Sequence, residues 1–194
     1  MGQDLGARSS CLLWRAFGRK FGDLTMLTGF VLFYVGAVLS LNGLWLMGKI
    51  EDREIVVINI VVAALALGVV VHDGFFIGTA ESIRNAALTL LFATTYLWVA
   101  YNRFSGVDGR GLGWFSLFVS ITTVPVFLRA FIEAGSATDL WLAANWLAWG
   151  VLWFLYFLLL ALRLPIQRQT AWVTLLTGIF TGWFPGFLLL DALI

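Results

Sequence analysis

Between residues 26 and 193 the chain alternates long apolar runs with short polar breaks. Six runs stand out, at about 26–48, 54–72, 86–104, 111–132, 140–162 and 170–193. Each is close to the roughly 20 residues that a helix needs to cross the hydrocarbon layer of a bilayer. The breaks carry the charges and several glycines, and the longest is expected to be a loop of about a dozen residues over 73–85. The pattern predicts an all-α integral membrane protein, a six-transmembrane-helix bundle over 26–194, read as three successive helical hairpins with no extramembrane domain.

The fifth run, WLAANWLAWGVLWFLYFLLLALR from Trp141 to Arg163, has no ionisable residue before its closing arginine. At 100° per residue, Leu142, Trp146, Trp149, Trp153 and Tyr156 fall within a sector of roughly 80°. Trp141 sits at the end of the run, where an indole anchors a helix to the membrane interface. Trp149 and Trp153 sit at mid-depth, where anchoring is no reason for them. They either pack against other helices or line a path.

The remaining runs add smaller signals. In the first, Gly36, Ser40 and Gly43 are spaced so that a neighbouring helix can approach closely. The third carries Phe92 and Tyr96, again four apart, with Thr95 and Asn102. The fourth carries Thr122, Thr123 and Pro125. The sixth carries Thr174, Thr177, Thr181 and a kink candidate, Pro185.

Composition makes a soluble reading untenable: 61% of the residues are apolar, 12% are charged, and the mean hydropathy is +0.93. A net charge of +1 gives no case for nucleic acid. The single cysteine, Cys11, excludes an internal disulfide or a thiolate metal site. Residues 1–25 are a non-conforming basic tail, with Arg8, Arg15, Arg19 and Lys20 against Asp4 and Asp23 and no cleavable secretory signal. The loops after the first, third and fifth runs hold six basic residues (Lys49, Arg53, Arg103, Arg110, Arg163 and Arg168). The other two loops hold Arg84 and Arg129. This bias predicts cytoplasmic odd-numbered loops and extracytoplasmic termini. The tail reads either as a short basic amphipathic segment at the membrane surface or as sequence upstream of the true start. Since it would lie on the wrong side for its charge, a start at Met26 is favoured.

No phosphate loop, His or Cys cluster, nucleophile–base pair or buried carboxylate pair is evident, so no catalytic site, cofactor or metal is expected. An ionisable group at mid-bilayer costs about 2.5–3.5 kcal/mol on the insertion scale and usually marks an ion or proton path. All charges here fall at or near run ends, which disfavours an ion-coupled transporter. A passive conduit for a neutral solute remains, its apolar walls excluding ions. In such a conduit a planar amide slides between ring faces, its N–H groups meeting π clouds and its carbonyl an indole N–H. The residues alone also allow a non-transporting structural or sensory subunit whose rings only fill helix interfaces, with Asn42, Asn59 and Asn102 as interhelical hydrogen bonders.

Several strings resemble the AmiS/UreI family of bacterial urea and short-chain amide channels: LFYVGAVLSLNGLWLMGKI (32–50), VINI (57–60), LTLLFATTYLWVAYNRFSGVDGRGLGWFSLFVSITTVP (88–125), WLAWGVLWF (146–154) and GWFPGFLLL (182–190). The resemblance runs from Met26 to the C-terminus. It implies a six-helix protomer with its own pore, a homo-hexameric ring among inner-membrane lipids, extracellular termini, and urea or a short-chain amide as the solute. It implies that Trp149 and Trp153 line a constriction with Trp146 beside them. Tyr96 and Phe92 would face it from the third helix, and Val35 and Leu39 from the first. Two departures stand out. Urea-channel members can carry a glutamate where this chain has Thr177, which joins the pore-lining set by position. Proton-gated members carry a long His-rich extracellular loop, whereas His72 is the lone histidine here. These departures favour amide uptake without proton gating over acid-activated urea supply to a urease. Two aromatic ladders of spacing four, facing each other, would make a flat slot for a planar amide.

Overall fold

The computed structural model describes residues 26–194, so the tail of residues 1–25 lies outside the described residues. Six helices are long and apolar enough to cross a membrane: α1 (Met26–Leu46), α2 (Ile55–Ile77), α3 (Ala80–Ser105), α4 (Arg110–Glu133), α5 (Ala137–Ala161) and α6 (Gln167–Leu190). No strand occurs among the described residues. The starts of α1, α3 and α5 share one membrane face, here the first face; their ends share the second. Val57, Leu97, Phe118, Ile121 and Val151 point outward and are exposed, an apolar surface suited to hydrocarbon.

The expected loop over 73–85 does not exist. α2 continues through His72 and Asp73 in a widened π-type turn, His72–Ile77, and α3 starts at Ala80. Only Gly78 and Thr79 separate them. Gly78 has φ +64°, a left-handed conformation that a side chain would strain. The Thr79 hydroxyl then accepts from the Ser82 amide at 3.1 Å while the Ser82 hydroxyl accepts from the Thr79 amide at 2.9 Å. This reciprocal cap satisfies two amides at the start of α3 and makes the helix six residues longer at its start than the apolar run alone suggests.

The bundle closes by pressing α1 against α6. A Cβ placed on Gly36 would collide with the backbone nitrogen of Trp183, one on Gly178 would lie 2.6 Å from the Ser40 nitrogen, and one on Gly43 2.7 Å from that of Leu175. Without a hydrophobic effect between helices in lipid, close van der Waals approach and hydrogen bonds must hold them. Beside this seam, Asn42 and Asn59 join α1 to α2 by a reciprocal amide pair. Asn42 Nδ2 donates to Asn59 Oδ1 at 3.2 Å, and Asn59 Nδ2 donates to Asn42 Oδ1 at 2.8 Å. Both side chains are almost fully buried, the interhelical role expected of them. On the other side of the bundle the Ser120 hydroxyl of α4 donates to the Gly150 carbonyl of α5 at 2.9 Å.

At the second face the short connections are tied by charge. Asp108 accepts from Arg110 Nε at 2.7 Å and from Arg163 Nη2 at 2.9 Å, joining the α3–α4 and α5–α6 connections. The Arg110 backbone amide, followed by the two guanidinium groups, holds the Asp108 carboxyl below its ordinary value of 3.8. The sign follows: this exposed contribution is complete above that value and is lost as pH falls through the lower, folded one.

Candidate functional site: an aromatic pinch between two cavities

α5 and α6 are antiparallel neighbours, and their polar pairs run in register. Trp149 Nε1 donates to Thr181 Oγ1 at 2.8 Å, and seven residues further along α5 the Tyr156 hydroxyl meets Thr174 Oγ1 at 3.2 Å. Seven residues are two helical turns less about 20°, so each pair repeats on one face. Thr181 and Thr174 in turn donate to the carbonyls of Thr177 and Thr170, at 2.6 and 2.7 Å. On the other flank Trp153 Nε1 donates to Thr95 Oγ1 of α3 at 3.2 Å. Both mid-membrane indoles are therefore fixed in azimuth by threonine, and their N–H groups are occupied.

The rings they hold meet at Phe92. Its centroid lies 5.0 Å from that of Trp149 at an interplanar angle of 84°, and 4.8 Å from that of Trp153 at 66°. Trp146 approaches Phe92 at 6.1 Å and Trp149 at 5.1 Å, both edge to face. Tyr96 is tilted against Phe92 at 6.5 Å. The expected flat slot is thus corrected: the ladders interdigitate, with Phe92 wedged edge-on into the tryptophans. The positive ring edge seeks the negative ring face, which favours this arrangement over parallel plates.

Two cavities flank this wedge, one on the side of each membrane face. The first-face cavity, of about 300 Å³, includes Val35 of α1, Asp73 of α2, Asn85 of α3, and Asn145 and Trp146 of α5 in its lining. The second-face cavity, of about 30 Å³, is lined by residues including Leu39, Asn42, Tyr96, Ser116, Trp153 and Tyr156, with room for two or so waters. Phe92 and Trp149 line both. The structure therefore brings seven of the residues singled out in the sequence around one axis, Val35 and Trp146 on the wide side, Leu39, Tyr96 and Trp153 on the narrow side, Phe92 and Trp149 between. Thr177 is placed differently. It is buried, it lines neither cavity, and its carbonyl supports Thr181.

Sequence reasoning missed three contributors. Thr95 and Thr181 orient the indoles, and the matching seven-residue spacings of Trp149/Tyr156 and Thr174/Thr181 were the available signal. Asp73 was assigned to a loop, yet it is only 8% exposed and lines the wide cavity. Its Oδ1 accepts from His72 Nδ1 at 2.8 Å. No group of side chains suited to holding a metal ion occurs among the described residues, and nothing in the two linings forms a nucleophile–base pair.

The bundle and its paired cavities define a six-helix, multi-pass membrane protein of the channel and transporter class. The chain belongs to the AmiS/UreI family: the model of AmiS/UreI family transporters matches residues 27–193. Over 187 residues it is 35% identical to an acid-activated urea channel of Helicobacter pylori, covering 83% of this chain and 96% of the relative. It is 39% identical over 170 residues to a putative amidate substrates transporter protein of Mycolicibacterium smegmatis, covering 84% of this chain and 76% of the relative. The cryo-EM structure of the Helicobacter pylori urea channel in its closed state superimposes with a TM-score of 0.78, at 34% identity and 86% and 98% coverage of the two chains.

Proposed function

We propose that this protein is a facilitative channel for small neutral amides, short-chain aliphatic amides and urea, with the pathway running through each protomer from the wide cavity, past Phe92, Trp149 and Trp153, to the narrow one. The observation that supports this reading is that two cavities on opposite sides of the ring wedge share the same two aromatic residues. A packing subunit has no use for a wide cavity that ends on a wedge of rings. Because both mid-membrane indole N–H groups are held by threonine, a solute at the pinch meets ring faces and edges. Hydrogen bonds are offered on either side instead: the Trp146 N–H and the Asn85 amide in the wide cavity make none within the described residues, nor does the Tyr96 hydroxyl in the narrow one. A neutral planar amide can exchange one set for the other across a short apolar step. An ion cannot, since the rings replace none of its hydration shell.

The channel acts in the inner membrane as a homo-hexamer set among lipids, with extracytoplasmic termini and the wide cavity open to the outside. The orientation is checked by Val107→Cys, at an exposed site of the α3–α4 connection, in a Cys11→Ser background. A membrane-impermeant thiol reagent is expected to label it only in opened cells; labelling in intact cells overturns the orientation.

Transport is passive and not acid-gated. His72, the lone histidine, is paired through Nδ1 with its sequence neighbour Asp73 and is otherwise exposed, so this contact lies within α2 and joins no second helix. Stopped-flow light scattering with proteoliposomes is expected to show urea and acetamide uptake well above protein-free vesicles, varying less than about twofold between about pH 5 and 7.5. Absence of flux would return the protein to a structural or sensory role. Steep acid activation abolished by His72→Gln would make it an acid-activated urea channel.

A further inference from the structure

The wide cavity contains a group that a conduit for neutral solutes does not need. Asp73 is the one ionisable side chain among the described residues that line it, and it is almost buried. Its Oδ1 is bonded to His72, while Oδ2 makes no hydrogen bond within the described residues. No lysine or arginine is among the described residues that line the cavity. The same lining brings the Asn85 and Asn145 side-chain amides and the Trp146 ring to this space. A carboxylate with one oxygen left open towards a cavity with apolar walls focuses a negative potential there.

Resting on the amide-channel reading, we infer that the wide cavity is a capture site for small planar organic cations of the guanidinium and amidinium class, held by Asp73 and unable to pass the pinch. Such a cation is the charged counterpart of a planar amide. It presents a fork of N–H donors to a carboxylate, the remaining donors suit the Asn85 and Asn145 carbonyls, and its flat face suits the indole of Trp146. A metal ion is a poor match: one carboxylate and two amides offer too few oxygens to replace its water, and no cluster of three acidic, His or Cys ligands exists among the described residues. The guanidinium ion is weakly hydrated and needs fewer partners. Beyond Phe92 the narrow cavity offers no Asp or Glu among the described residues that line it, so a captured cation stays on the wide side. It therefore acts as a plug, and the solutes the channel passes are separated by charge before they reach the rings.

The test uses the full chain in lipid nanodiscs for calorimetric titration, and proteoliposomes for acetamide uptake, both at neutral pH. The probes are guanidinium chloride at millimolar concentration, with sodium chloride and tetramethylammonium chloride at the same ionic strength. Wild-type protein is expected to bind guanidinium saturably and to lose flux in proportion, with no effect of sodium or of tetramethylammonium, which has no N–H. Normalised to its own uninhibited rate, Asp73→Asn is expected to bind and be inhibited at least about tenfold more weakly, the scale of one lost charge-assisted hydrogen bond, while Asp73→Glu retains inhibition. Equal inhibition by all three salts in the wild type, or undiminished binding in Asp73→Asn, overturns the site. Should Asp73→Asn fail to fold, the wild-type comparison of the three salts decides alone. Binding without flux would sink the channel reading and leave the cation site standing; flux without binding would do the reverse.

Discussion

Replacing Gly36 by alanine is expected to abolish the folded protein. The added Cβ would collide with the backbone nitrogen of Trp183, and further atoms of Trp183 and Gly182 lie within 2.7 Å. Overpacking costs about 1–3 kcal/mol where side chains can give way. Here the obstacle is the facing main chain of α6, and relief requires moving a whole helix. That helix carries Thr181 and Thr174, so the displacement also removes the hydroxyls that hold Trp149 and Tyr156. Against a total stability of about 5–15 kcal/mol, one methyl group at this position is decisive. Gly68→Ala is the matched control, since nothing lies within 4 Å of its Cβ. Size-exclusion profiles of detergent extracts should show no monodisperse peak for Gly36→Ala and a normal one for Gly68→Ala. A monodisperse Gly36→Ala protein with wild-type thermal stability would show that α1 and α6 do not meet as described.

Phe92→Ala is expected to have the largest effect on transport. On the proposed pathway a solute passes only when Phe92 parts from Trp149 and Trp153, and each edge-to-face pair is worth roughly 0.5–1.5 kcal/mol. Removing the ring removes a barrier component of about 1–3 kcal/mol, which is of the order of tenfold in rate. The gain should be largest for solutes too bulky or non-planar for the closed wedge, so glycerol and butyramide should rise far more than urea. The same truncation leaves a cavity that costs about 3–5 kcal/mol of stability. Rates are therefore normalised to folded protein, and Phe92→Leu provides a milder form of the same change. If the ring only packs, the variant will be less stable but its relative permeabilities will not move.

The spans could be read from sequence because hydropathy over twenty residues outweighs any local detail, and the bundle follows from it. The end of α2 could not. His72-Asp73-Gly74 looks like punctuation, and it took a widened turn, a left-handed Gly78 and the Thr79–Ser82 cap to carry both helices past it. That misreading also hid Asp73, because a carboxylate assigned to a loop is not asked what it lines. The aromatic residues were legible as a set from their spacing of four, but not their mutual angle. Ring orientation depends on which hydroxyl holds each indole, and Thr95 and Thr181 lie 58 and 32 residues away in the chain. Thr177 illustrates the opposite error. Its position in the sixth helix suggested the pathway, yet its side chain lines neither cavity, and Thr181, one turn on, is the residue that meets a tryptophan.

The central claim is that the ring wedge selects among neutral solutes. Stopped-flow uptake of urea, acetamide, butyramide and glycerol into proteoliposomes, compared between wild type, Trp149→Phe, Trp153→Ala and Tyr96→Phe at equal folded protein, tests it most directly. The account predicts that shortening either tryptophan narrows the gap between the small planar amides and the two bulkier solutes, while Tyr96→Phe slows all of them by removing a hydroxyl from the narrow cavity. Relative permeabilities that stay the same in all three variants would contradict it.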